Sequence, residues 1–128
     1  MNGGSQVSAP IPVAVVGTGH MGRHHARIYH ELPDSELVGI VDLNAERAAD
    51  MASKYNAKVY TSIEPLLGKV EAVTVAVPTT AHVEVARPFL ENGIAVLIEK
   101  PIAPDAASAR ALQELARRHN TLLSVGHT

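Results

Sequence analysis

A short apolar run, Val13-Ala14-Val15-Val16, breaks into Gly17-Thr18-Gly19-His20-Met21-Gly22 and then into a helical pattern. Few stretches restrict a fold as tightly, because this one specifies a strand, a sharp turn and a helix start in immediate succession. Gly17 lets the chain turn, Gly19 lets backbone approach a ligand closely, and Gly22 lets the first helix lie against the strand. A ligand placed there faces unpaired N–H groups and the positive end of a helix dipole, which favours phosphate. A second apolar run, Leu37-Val38-Gly39-Ile40-Val41, ends in Asp42, twenty residues beyond Gly22. A carboxylate in that place accepts hydrogen bonds from a ribose, so the spacing points to a dinucleotide.

The rest of the chain alternates strands and helices. Val13–Val16 reads as a first strand and His20 to about Leu32 as a helix ended by Pro33. Glu36–Asp42 is a second strand, and a helix capped by Asp42 or Asn44 runs to about Tyr55. Lys58–Tyr60 is a brief third strand. Thr61 is expected to cap a short helix, with Glu64 as its capping-box partner, ending near Gly68. Ala72–Val77 is a fourth strand; Thr80 then caps a helix over Ala81–Glu91, with Gly93 in the left-handed position beyond its end. Ala95–Ile98 is a fifth strand. A helix from Asp105 to His119, with Ala107, Ala111, Leu112 and Leu115 on one face, leads to a sixth strand over Leu122–Val125.

Continuously apolar strands alternating with helices indicate a parallel sheet covered on both sides. Right-handed crossovers give a six-stranded, doubly wound α/β sheet of the Rossmann type, in the order 3-2-1-4-5-6. Ligands then sit at the carboxyl ends of the strands, where the order reverses. The segments in that position are the Gly17 loop, Asp42, Pro78-Thr79-Thr80 and Glu99-Lys100-Pro101.

Composition narrows the partners. The 128 residues make one domain, 13–128, behind an unstructured tail over 1–12, and a net charge of −2 recommends no nucleic acid. There is no cysteine, hence no disulfide framework or thiolate metal site. No apolar run suits a membrane span and the first residues lack a signal-peptide pattern, so a cytoplasmic location is expected. His20 and His24 share a helix face, but without acidic or cysteine partners at ligand spacing no metal is expected.

Taken together, Gly17-Thr18-Gly19-His20-Met21-Gly22 with His25, Pro78-Thr79 with His82, and Glu99-Lys100-Pro101 resemble the N-terminal domain of the Gfo/Idh/MocA family of NAD(P)-dependent oxidoreductases. The resemblance runs from Val13 to Gly126. It implies that Lys100 lies beside the nicotinamide and helps to move the proton of the hydroxyl being oxidised. Glu99 is implied to orient Lys100 or to bind the nicotinamide ribose, and Pro101 to follow a cis peptide. It further implies cofactor contacts at Gly17, Thr18, Gly19, His20, Met21 and Gly22, and at Asp42, Pro78, Thr79, His82 and Glu99. Asp42 accepts from a free 2′-hydroxyl and repels a 2′-phosphate, and Leu43-Asn44 offers no arginine, so NAD is expected in preference to NADP.

Members of that family carry a second α+β domain that holds the sugar or polyol substrate. This chain stops at Gly126-His127-Thr128, where that domain would begin. It is therefore expected to be an isolated cofactor domain, not catalytically competent alone, with His127 at a frayed end. Apolar surface uncovered at the strand ends makes a homodimer the expected state. Two other readings stand beside this one. One is a non-catalytic dinucleotide-binding module that self-associates. The other is a methyltransferase, which shares the glycine loop and acidic residue but lacks a reason for Glu99-Lys100-Pro101.

Overall fold

Along the first strand, Val13 and Val15 pack to one side and Ala14 and Val16 to the other, and all four are buried. A strand apolar on both faces needs a layer of helices on each, and that is the architecture of residues 9–126, which the computed structural model describes. Strands β1 (Ile11–Val16), β2 (Ser35–Val41), β3 (Lys58–Tyr60), β4 (Ala72–Val75), β5 (Ala95–Glu99) and β6 (Leu123–Gly126) form one sheet. Its order is β3-β2-β1-β4-β5-β6 and every neighbouring pair is parallel. The order reverses between β1 and β4, which places the ends of those strands around a crevice.

Helices α1 (His20–Glu31) and α2 (Ala45–Tyr55) follow β1 and β2 and bury Ala26, Ala48 and Met51 against Val13, Val15 and Ile40. Helices α3 (His82–Glu91) and α4 (Ala106–Arg118) cover the opposite face with Phe89, Leu90, Leu112 and Leu115. Phe89 is fully buried. A side chain of that size contributes about 1.5–3 kcal/mol by leaving water.

Local chemistry sets most element ends. Asn44 caps α2 by accepting the Arg47 N–H at 3.0 Å, so of the two candidate caps it is Asn44 that serves. Asp105 caps α4 through the Ser108 N–H at 2.7 Å. Gly93, at φ +74°, follows the end of α3 in the left-handed conformation.

Several expected boundaries are corrected. Ile11 and Pro12, assigned to the tail, belong to β1 and pair with Ser35 and Glu36. The segment after β3 is a 3-10 helix, Glu64–Gly68, preceded by Ile63 with no side-chain cap. Pro65 in its first turn fixes φ and has no N–H to offer, and the bonds that form are i to i+3, from Leu66 N–H to Ile63 and from Lys69 N–H to Leu66. Thr80 does not cap α3; a 3-10 turn over Thr79–Ala81 leads into a helix that starts at His82 without a side-chain cap. On α4 the buried stripe is Leu112, Leu115 and Ala116, while Ala107 and Ala111 are exposed. His127 and residues 1–8 lie outside the described residues.

One polar group crosses the α1 side of the core. The Thr74 hydroxyl on β4 is fully buried, 2.6 Å from the Tyr29 hydroxyl and 3.1 Å from Nδ1 of His25, both on α1. Burial, helped by the neighbouring His24, lowers the His25 pKa, and Glu99 opposes this only in part. The neutral ring then shares the hydroxyl with Tyr29. Thr74→Val keeps the shape and removes the shared oxygen, so it is expected to cost about 1–3 kcal/mol. The measurement is urea unfolding, with a lower midpoint and an unchanged slope.

Candidate functional site

The end of β1 is held by backbone on both sides. The Gly17 N–H donates to Val41 O at 2.7 Å, and the Ala76 N–H donates to Val16 O at 2.8 Å. Gly17 has φ +101°, and a methyl group there would overlap the Ala76 carbonyl. At Gly22 a methyl would overlap the carbonyl of Gly17. Both positions therefore require glycine for packing alone.

Gly19 differs. It is exposed, has an ordinary φ of −69°, and a methyl built on it meets nothing within 4 Å. Nothing in the protein's own packing needs glycine here. The open space at the N-terminus of α1 is a cradle that a methyl would fill, and it suits a diphosphate approaching backbone N–H groups.

Asp42 closes the second side of the site. Its Oδ2 accepts from the Thr18 N–H at 2.7 Å and from the Thr18 hydroxyl, and its Oδ1 accepts from the Asn44 N–H at 2.7 Å. Arg47 Nη2 stands 3.8 Å from Oδ1. Burial alone would raise the carboxyl pKa; the Thr18 hydroxyl, the Asn44 and Thr18 N–H groups and Arg47 outweigh it and hold the pKa below the ordinary value. Thr18 is buried, so its polar atoms serve Asp42.

A cleft of about 850 Å³ opens beside Asp42, bounded by Gly17, Asn44, Ile63, Val77 and Pro78. A smaller one of about 400 Å³ lies beyond the loop, lined by Gly19, His20, Met21, Ala76, Val77 and Glu99. The two share Ala76 and Val77, so they form one path over the carboxyl ends of β1 and β4. Asp42 stands at one end of it and Glu99 at the other. On the outer side of the loop, His20, Arg23, His24, Arg27 and Arg47 line a basic groove of about 550 Å³.

Not every residue singled out by sequence lines this path. Thr79, Lys100 and Pro101 line neither cleft. Lys100 is exposed just past β5, its N–H 3.4 Å from Gly126 O, and the Lys100–Pro101 peptide is cis. His82, expected as a cofactor contact, is buried and turned inward, both ring nitrogens lying against backbone carbonyls. Arg47 was missed, although its place in the first turn after an acidic strand end was a usable signal. Ala76 and Val77 carry no chemical signal, and only their position after β4 marks them.

Comparison with known proteins agrees with this geometry. The model of a family described as an oxidoreductase family with an NAD-binding Rossmann fold matches residues 11–127. UDP-N-acetylglucosamine 3-dehydrogenase of Acidithiobacillus ferrooxidans is 40% identical over 113 residues, 88% of this chain and 36% of that enzyme. Inositol 2-dehydrogenase of Rubrobacter xylanophilus is 39% identical over 110 residues, 84% of this chain and 32% of that enzyme. Among solved structures, GenD2 from gentamicin A biosynthesis, in complex with NAD, superposes with a TM-score of 0.89 at 32% identity, covering 98% of this chain and 37% of its own. The chain thus spans about a third of the length of the relatives it matches.

The Asp42 cluster sets a pH dependence. A folded-state pKa held below the unfolded value means stability that is present above the ordinary carboxylate range and is lost as pH falls through the folded pKa. Asp42→Asn is therefore expected to unfold more readily than the native chain at neutral pH, with the difference shrinking once the pH falls below about 4. Denaturant midpoints of both proteins measured across pH check it. A difference that stays constant through the acid range contradicts it.

Proposed function

The chain belongs to the Gfo/Idh/MocA oxidoreductase family, and from that premise we propose that it holds NAD for hydride transfer at a sugar or cyclitol carbinol carbon. The observation that carries the reading is the open cradle at Gly19 with the Asp42 carboxylate on one side of it and Glu99 on the other. The curated relatives include a nucleotide-sugar dehydrogenase and inositol dehydrogenases, which supports a polyhydroxylated substrate.

Bound NAD supplies the hydride acceptor at its nicotinamide ring. The chain's own residues do the rest. The glycine loop and the start of α1 present N–H groups to the diphosphate, and Asp42 accepts from the adenosine ribose with its remaining lone-pair capacity. Lys100 takes up the hydroxyl proton as the carbinol carbon is oxidised, and Glu99 orients it or holds the nicotinamide ribose. His20 and Met21 line the cleft at the same end. A cytoplasmic location is part of the proposal; no helix among the described residues is long and apolar enough to cross a membrane.

Calorimetric titration with NAD, NADP and S-adenosylmethionine tests the cofactor reading. NAD is expected to bind best. Gly19→Ala and Asp42→Ala are each expected to weaken it by about tenfold or more, equivalent to about 1.4 kcal/mol. Gly19→Ala should retain native stability, because its methyl touches nothing in the protein. Preference for S-adenosylmethionine would return the chain to the methyltransferase reading, and no binding of NAD would refute the proposal.

Self-association is proposed as well. Leu43 is fully exposed at the end of β2, and Leu122 is 67% exposed beside the edge strand β6. Light scattering is expected to give a mass that rises with concentration towards a dimer. A monomer mass at every concentration excludes it.

A further inference from the structure

His82 opens α3 and is only 2% exposed, and its ring reaches two different loops. Nδ1 lies 2.9 Å from Ile102 O and 3.1 Å from Pro101 O, while Nε2 lies 3.0 Å from Val77 O. Val77 lines both clefts. Pro101 and Ile102 directly follow Lys100. One ring therefore spans from the wall of the dinucleotide path to the segment that carries the lysine.

The partners are all carbonyl oxygens, which accept and never donate. A ring N–H donates into one loop, and the imidazole packs against the carbonyls of both. Among the described residues no other hydrogen bond reaches these three oxygens. The ring is therefore the contact that ties the two loops together.

We propose that His82 is a positioning residue whose ring, set between the Val77 carbonyl and those of Pro101 and Ile102, fixes the Lys100 segment relative to Val77, at the nicotinamide end of the cofactor. The ring itself touches neither cofactor nor substrate. This inference rests on the NAD reading for its functional half; its structural half, the ring set between two loops, stands on geometry alone.

The test is calorimetry with NAD and with ADP-ribose, which lacks the nicotinamide, on the native chain, His82→Gln and His82→Leu. ADP-ribose affinity is expected to hold within about twofold in all three, because Asp42 and the glycine loop are untouched. The advantage of NAD over ADP-ribose is expected to fall by about tenfold in His82→Leu, and by less in His82→Gln, whose amide serves one loop. Parallel loss of both ligands would mean general loosening, and an unchanged ratio would mean no positioning; either overturns the proposal. A native chain that binds neither ligand refutes the NAD reading and with it the positioning role, whereas an unchanged ratio refutes the positioning role alone.

Discussion

Where α1 begins, backbone packs directly against backbone. The carbonyl of Gly17 occupies the space a side chain would take at Gly22, and the carbonyl of Ala76 does the same at Gly17. Hydrogen bonds from Gly17 to β2 and from Ala76 to β1 tie the same point to both neighbouring strands. Three segments distant in sequence meet there, backbone against backbone. Any Cβ would force them apart, and the crevice at the reversal of strand order would lose its shape.

Around this junction the side chains divide into those facing inward and those facing the path. Thr18 and His82 look like ligand-binding residues by position, yet their polar atoms are committed to Asp42 and to backbone carbonyls. What remains open to a ligand is mostly backbone at Gly19, one carboxylate at each end, and apolar walls at Ala76 and Val77. Such a surface suits a long ligand with charge in the middle and rings at both ends. The side chains that hold the loops in place are as necessary to it as those that line it.

Much of this was legible in the sequence, for physical reasons. Strand and helix order, and the sheet order that follows, depend on local periodicity and on handedness, which are written into neighbouring residues. The glycine loop and Asp42 carry their own chemistry. Failures occurred where a neighbouring proline or a distant contact overrides residue type. Thr61 and Thr80 have the right type to cap helices, but Pro65 and the inward turn of His82 favour tight 3-10 turns there. Ala107 and Ala111 have the right spacing, but α4 rests on Leu112, Leu115 and Ala116. Nothing near His82 in the sequence announces the carbonyls of Pro101 and Ile102, which reach it only in three dimensions.

The bond between Thr18 and Asp42 also bears on what ligand binding costs. With Asp42 holding both the N–H and the hydroxyl of Thr18, the loop between β1 and α1 takes its shape when the chain folds. The conformational entropy of ordering the loop is lost at that stage and not at the moment of encounter. A rim shaped by those bonds asks for no ordering of this loop when a molecule docks on it.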